Sequence, residues 1–350
     1  MKIIYLSLSK LENSVNSVYI KGLKANHVEM VSFFSKKKGL PRFREILSFY
    51  QKNRKNTDVI MVGYESPELV ILTKLFSRKK IIYNALCSTY ERIVVARELV
   101  PKYSLKSFYY WLTDFLAVHL ASLTMVETNQ QIAYFQKLFK VSSRKLFRAF
   151  TGTDEDNFSY NADLSKFNKF TVIFRGSLMP EAGAEYVIEA AKILEKEKVD
   201  FIMVSGGFLL NKIIKLIEKR KPANLRLISQ RLSYQELNSL MQGSHLSLGQ
   251  FSKHQRLQRT IPHKAYESIA LKLPYLTATN KGIIELLKSD YTCITCNPAD
   301  ASSLANKIKW TIKNYPEAVK IAENAYELYN RQLRPKILAE KLLKKIVVET

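Results

Sequence analysis

The stretch RTIPHKAYESIALKLPYLTA, Arg259 to Ala278, sets a short helix hard against an apolar strand, and that junction decides the fold. Pro262 suits a helix start, and Pro274 ends the helix before LPYLTA, which reads as a strand. Ala265, Ile269 and Ala270 fall on one helical face, and Leu273 extends it. A helix entered from a loop at a strand end aims free backbone N–H groups at whatever lies there, and so favours an anion. Lys264 places a positive charge in that first turn, where the dipole prefers a negative one, and Glu267 follows it. The arrangement implies that something anionic arrives. The plainer reading is a surface lysine beside a solvated glutamate.

The same alternation runs through the whole chain. In the first half KIIYLSLS, HVEMVSFF, DVIMVGY, KIIYNALC and SLTMVET read as strands. Helices are expected between them at Ser14–Ala25, Arg42–Lys52, Pro67–Phe76 and around Tyr103–Ala121. In the second half the strands are FTVIFRGS, DFIMVSGG, LRLISQ, HLSLGQF, LPYLTA and YTCITC. The helices there are Gly183–Glu197, Leu210–Lys219, Ser233–Gln242, Lys264–Ala270, Gly282–Lys288 and Ala301–Asn314. Near-continuous Val, Ile and Leu strands alternating with helices mark buried parallel sheets. The predicted class is therefore α/β, with doubly wound domains at residues 1–155 and 156–325 joined near the turn-rich FTGTDEDNFSYNADL. Residues 326–350 belong to helices with no further strand, expected to pack back towards the first domain. Such sheets bind ligands at the carboxyl ends of their strands, where the strand order switches, so the site is expected in a cleft between the domains.

With 350 residues, 47% of them hydrophobic and 25% charged, the chain can fill two cores. Cys87, Cys293 and Cys296 make no disulfide framework and point to a reducing compartment. Cys293 and Cys296 form a C-x-x-C with no second pair at a zinc spacing, so they read as buried strand residues and no metal is expected. The opening MKIIYLSLS is a charge and a strand rather than a leader. The most hydrophobic window, Leu105 to Val126, carries Lys106, Asp114 and His119, too polar to span a membrane. The net charge of +24 attracts polyanions. From Lys36 to Lys55 eight Lys or Arg stand against one Glu, while Phe43, Ile46, Leu47 and Tyr50 share a helical face. The Arg42–Lys52 helix thus suits an anionic membrane surface, or else packs that stripe on a sheet with its lysines in solvent. A place at the inner, cytoplasmic face of the cell membrane is expected. The charge is spread over both halves without a recognisable binding module, so no nucleic-acid partner is expected.

Three strand ends of the second half are suited to phosphate: FRGSLMPEAG with Arg175, Gly176 and Ser177, VSGGF with Gly206 and Gly207, and SLGQF with Gly249. With Arg231, Ile261, Lys264 and Glu267 they compose a candidate nucleotide-diphosphate site, the carboxylate accepting hydrogen bonds from ribose hydroxyls. On the first half Asn84, Ser88, Tyr90, Glu91 and Arg97 lie at or after a strand end, as acceptor-side candidates. Asp114 reads as a buried partner for a basic residue or as an acceptor-side group, and His119 as a packed core histidine. The run Asp154–Asp156 resembles an acid–x–acid metal motif but reads better as a turn.

These pieces carry a family resemblance. FRGSLMPEAGAEYVIEAAKIL, FIMVSGG, ISQRLSYQELNSLMQGSHLSLGQF, IPHKAYESIALKLPYLTA, NKGIIELL and NPADASSLANKI resemble, in order and spacing, a glycosyltransferase of the family 4 type. The first half is similar more faintly, through YNALCSTYERIVVARE, TDFLAVHLASLTMVET, AYFQKLFKV and TGTDEDNF. The resemblance implies the GT-B fold and retaining transfer of a sugar from a nucleotide-sugar donor without a metal cofactor. It places Glu267 as the second acid of the family's Glu–seven residues–Glu motif and Lys264 on the diphosphate. Three positions depart: Arg259 stands at the first acid, Ser177 at the usual Arg, and Ala182 at the usual Lys. Arg175, Arg231, Arg256, Arg259 and Lys264 are the candidates to restore the cationic hole.

The expected function is glycosyl transfer from a UDP- or GDP-sugar to a glycan or lipid-linked acceptor in polysaccharide or glycoconjugate synthesis. Glu267, Lys264 and Arg259 are the expected catalytic residues. The alternative, favoured by the three departures, is a non-catalytic glycosyltransferase-like subunit that binds a partner or glycan.

Overall fold

Strands buried on both faces build two six-stranded parallel sheets, each flanked by helices. The structure, a computed structural model, describes residues 1–348. It divides into two units, one from Met1 to Asp154 together with the segment that begins at Leu333, the other Glu155–Gln332.

In the first unit the elements run β1 (Lys2–Ser7), α1 (Ser14–Ala25), β2 (Glu29–Phe34), α2 (Leu40–Asn53), β3 (Val59–Val62) and α3 (Pro67–Phe76). They continue with β4 (Lys80–Leu86), α4 (Leu105–Leu120), β5 (Leu123–Val126), α5 (Asn129–Phe139) and β6 (Leu146–Arg148). The strand order is β2-β1-β3-β4-β5-β6. Helix starts follow local chemistry: Asn13 accepts from the Val15 amide before α1, and Thr128 from the Gln131 amide before α5. The apolar stripe of α2 packs inward: Ile46 and Tyr50 are buried in the sheet's core, Leu47 and Phe49 pack against it, and Phe49 stacks on Phe33 at 4.6 Å. Its solvent face keeps the charges, so the Arg42–Lys52 stripe expected at a membrane is occupied by the protein's own core.

The second unit runs β7 (Phe170–Ser177), α6 (Ala184–Ile193), β8 (Val199–Gly206), α7 (Leu210–Arg220), β9 (Leu225–Ile228) and α8 (Tyr234–Gly243). It continues with β10 (Leu246–Leu248), α9 (His263–Ala270), β11 (Tyr275–Ala278), β12 (Ile294–Cys296), α10 (Ala301–Lys313) and α11 (Tyr315–Gln332). A capping box between Ser233 and Glu236 starts α8. The order β12-β11-β10-β7-β8-β9 puts the reversal of strand order between β7 and β10. The final helix, α12 (Pro335–Val348), packs on α1 in the first unit; a Cβ on Gly22 would lie 2.1 Å from the Pro335 carbonyl oxygen. The expected helix Gly282–Lys288 is only a 3-10 turn at Ile283–Glu285. Among the described residues no helix is long and apolar enough to cross a membrane.

Candidate functional site

The switch point of the second sheet gathers most of the basic and glycine residues singled out in the sequence. β7 and β8 end in register, Gly176 beside Ser205 and Ser177 beside Gly206, and β10 ends at Leu248 beside Phe174. Gly176 and Gly207 have φ of +124° and +117°, values that a side chain would strain, so both turns depend on glycine. Gly249 serves differently: a Cβ there would meet Thr277 Oγ1 at 2.3 Å, so this glycine lets β10 and β11 close.

Lys264, in the first turn of α9, is buried, only 6% exposed. Its Nζ donates to the Gly249 carbonyl at 3.2 Å and lies 4.0 Å from the centre of the Phe174 ring. A Cβ on residue 176 would stand 3.6 Å from that Nζ, so glycine at 176 leaves the amine uncovered in that direction. Arg175, on β7, forms an ion pair with Glu267, which is 3% exposed on α9. The region is therefore rich in buried cations, with one buried carboxylate between strand and helix. Burial lowers Arg175 to about 10. Burial first, and Arg175 second, hold the Lys264 ammonium well below the ordinary lysine range. The same two causes push His263 down to about 4, leaving a neutral imidazole whose Nδ1 has no hydrogen-bond partner.

In front of this layer opens a pocket of about 620 Å³. It is lined by Arg175, Gly176, Ser177, Gly206, Gly207 and Arg231 from the expected set. The rest of the lining, which the sequence reading missed, is Val204, Ser205, Ser229, Gln230, Leu232, Ser233, Tyr234 and Leu237. Ser205 was findable: β8 alternates strictly between buried and half-buried positions, and Ser205 is a polar residue at a buried one beside the glycine pair. Its Oγ and the Arg175 Nε are both buried without a hydrogen-bond partner, polar groups prepared for a ligand. Lys264 and Glu267 stand behind the Arg175–Gly176 wall rather than in the lining. Ile261 is buried, Arg259 closes a 3-10 turn after Gln258, and neither lines the pocket. Arg256 pairs with Glu181 at 3.8 Å. Among the described residues no group of three or more His, Cys, Asp or Glu is placed to hold a metal ion.

In the first unit the acceptor-side candidates are mostly internal. Asn84 is buried and donates to the Val15 carbonyl; Glu91 is fully buried and accepts from Gln131 at 2.6 Å. Ser88 donates to Asp114 at 2.6 Å, and the Tyr90 amide donates to the same carboxylate at 2.8 Å. Asp114 thus holds a loop rather than a basic side chain, and burial pushes it up to about 7. These three residues, expected at a loop surface, brace the loop from inside; Arg97 is half-buried, and Tyr90 lines a pocket of about 270 Å³. His119 stacks against Phe115 at 4.3 Å with Nδ1 on the Phe115 carbonyl. Asp154 accepts from Ser17 at 3.0 Å and pairs with Lys21, a structural use of the acidic run. The three cysteines are buried, and among the described residues they form no disulfide.

Comparison with solved structures shows the same two-sheet architecture elsewhere. The Anabaena protein HepE in complex with UDP aligns at a TM-score of 0.73 and 16% identity, covering 99% of this chain and 100% of that one. HepE is also known bound to UDP-glucose, at a TM-score of 0.73 and 17% identity over 99% of this chain and 100% of that chain. Sucrose-phosphate synthase from Thermosynechococcus elongatus aligns over 100% of both chains at 13% identity and a TM-score of 0.78. No curated protein matches the sequence significantly. The architecture is therefore GT-B, two Rossmann-like domains of parallel sheet. Residues 158–328 match the family described as Glycosyl transferases group 1, so the second unit, with its glycine-rimmed pocket and buried cations, carries a glycosyl transferases group 1 domain.

Proposed function

We propose that this chain transfers a sugar from a UDP- or GDP-sugar to a glycan or lipid-linked acceptor, with retention at the anomeric carbon, at the inner face of the cell membrane. The observation that carries the reading is the proximity of two basic residues, Arg175 and the buried Lys264, at the switch point of the second sheet, where Glu267 is the carboxylate paired with Arg175. Buried like charges are unfavourable unless an anion joins them, and a diphosphate supplies two negative charges. The leaving nucleoside diphosphate gains charge as the glycosidic bond breaks. Fixed cations and the amides of the loops at Gly176 and Gly207 would stabilise it without reorganising. In this reading Glu267 moves its hydrogen bonding towards the donor ribose while Arg175 turns to phosphate. No step is assigned to a metal. The shared fold with HepE, solved with UDP and with UDP-glucose, and the group 1 match support a nucleotide-sugar donor.

A second reading, the non-catalytic subunit, draws on Arg259, Ser177 and Ala182, which depart from the pattern of the resembled family. Calorimetric titration with UDP, GDP and their sugars, followed by a nucleotide-sugar hydrolysis assay, separates the two. Transfer predicts binding of one nucleotide series with turnover of its sugar. If no nucleotide sugar binds, the transfer reading falls and the subunit reading stands.

A further inference from the structure

Six of the eighteen large hydrophobic side chains that stand exposed among the described residues fall between Val95 and Tyr109. They are Val95, Leu99, Tyr103, Leu105, Phe108 and Tyr109, and Tyr103 and Leu105 are 94% and 90% exposed. A short span holding a third of such residues is a patch rather than scattered surface. It comprises the end of the π-helical turn Glu91–Ala96, the loop that follows, and the first turn of α4.

The patch is anchored at its α4 end. Phe108 stacks on Trp111 at 5.9 Å and Trp111 on Phe115 at 5.2 Å, a ladder along one face of α4 whose lower rungs pack against the first unit's core. Its exposed lysines outnumber its acids in the span: Lys102 and Lys106 are exposed, Lys102 lies 5.6 Å from the Tyr103 ring centre, Glu98 is the sole acid between Arg92 and Tyr109, and at the far edge Glu68 accepts from the Tyr109 hydroxyl at 3.1 Å. Two copies meeting face to face would set lysine against lysine, which disfavours self-association through this surface. Aromatic and aliphatic side chains on a fixed ledge, flanked by ammonium groups, match the headgroup region of an anionic bilayer.

We propose that the Val95–Tyr109 ledge, and not α2, seats this protein on an anionic membrane. Tyr103, Leu105 and Phe108 enter the boundary between headgroups and acyl chains while Lys102 and Lys106 meet lipid phosphates. This locates the membrane contact of the function proposed above and does not depend on the transfer reaction.

The test is co-sedimentation of the full chain with phosphatidylcholine vesicles, with and without phosphatidylglycerol. The wild-type chain is expected to prefer the anionic vesicles. Tyr103→Ser/Leu105→Ser/Phe108→Ser should weaken that binding more than about tenfold. Lys102→Ala/Lys106→Ala should weaken it about 25-fold at low salt, about fivefold for each lysine. Arg42→Ala/Arg44→Ala on α2 should leave it within about twofold, because α2's apolar stripe is already buried. If the triple variant binds as the wild type does while the wild type still prefers anionic vesicles, the ledge is overturned and the membrane setting survives. If the wild type shows no anionic preference, both fall. A dimer in sedimentation velocity that the triple variant abolishes would instead make the ledge a self-association surface and overturn the proposal. Nucleotide-sugar hydrolysis by the triple variant should match the wild type, so loss of transfer and loss of docking read out separately.

Discussion

Replacing Lys264 by methionine should stabilise the free protein and weaken nucleotide binding, two effects of opposite sign from one change. Lys264 is 6% exposed, and burial together with Arg175 keeps its ammonium unfavourable. Methionine removes that unfavourable charge, and with it the ammonium over the Phe174 ring. It forfeits the Nζ bond to the Gly249 carbonyl, worth about 1 kcal/mol. Apolar replacements of buried charges gain about 1–4 kcal/mol, so we expect about 2 kcal/mol here. For a unit of this size that is roughly 4–8 °C in Tm. The sign is checked by pH. The folded chain holds the Lys264 proton less tightly than the unfolded chain does, so wild-type stability rises with pH towards 10.5 and the variant's advantage fades there. Nucleotide binding goes the other way: a charge-assisted bond to phosphate is worth about 1.5–3 kcal/mol, so UDP or GDP affinity should fall roughly 10- to 150-fold. Thermal unfolding and calorimetry on Lys264→Met measure both. A variant that is less stable, or that binds nucleotide as tightly as before, makes Lys264 a structural donor and refutes the reasoning.

Glu267→Gln should act in the opposite direction on stability. It leaves Arg175 without its buried carboxylate, at a cost of about 3–5 kcal/mol, seen as a lower urea midpoint; an unchanged midpoint would mean that the pair is solvated. Asp114 gives a pH signature in the first unit. Its folded value is raised by burial from 3.8 to about 7, so the folded chain keeps a proton that the unfolded chain releases, and stability falls by about 4 kcal/mol in total as pH rises across that window. Asp114→Asn should flatten the slope in urea titrations between those pH values, and an unaltered slope would assign it to another group.

Much of the architecture could be read from the chain because strands of a doubly covered parallel sheet are apolar along their whole length. α1 and α3 have the residue bounds that their sequence signals predict, Ser14–Ala25 and Pro67–Phe76. What escaped notice was short or atypical. β6 is a three-residue edge strand, α5 follows β5 after a two-residue turn, and Glu91–Ala96 winds as a π-helix that has no period of its own in the sequence. A single strand ending in glycine before a helix is common in α/β proteins; the glycine turns of the site were legible because three such strand ends fall in one domain beside Lys264 and Glu267. Burial of the charged residues was not. Lys264 and Glu267 look like surface residues by type, and only the closing of α9 onto β7 and β10 puts them inside. The stripe of α2 shows the converse ambiguity: one amphipathic pattern serves a core or a membrane, and the partner surface decides.

The departures at Ser177, Ala182 and Arg259 bear differently on catalysis once their surroundings are known. Arg175 lies two residues before Ser177 on β7, and positions two apart on a strand face the same side of the sheet. An arginine lost at 177 and present at 175 therefore stays on the same side, set back by one pleat. Ala182 is 1% exposed in the core under α6, where a lysine would have to be buried. Lys264 already supplies a buried ammonium, reaching the ends of β7 and β10 from α9. Both cations expected of the resembled family are thus present near the switch point, carried by other positions. The missing acid at 259 has no such substitute in the lining: among the described residues no carboxylate lines the pocket, Glu267 pairs with Arg175 behind its wall, and Glu181 pairs with Arg256. The electrostatics needed to hold a diphosphate are retained, whereas the acid expected to orient the sugar is not. Binding of the nucleotide should accordingly survive in this chain more fully than discrimination among sugars, and a panel of UDP- and GDP-sugars should show affinities set by the nucleotide, within about tenfold across sugars. A spread of several orders of magnitude across sugars on one nucleotide would mean that another residue does the work of the missing acid.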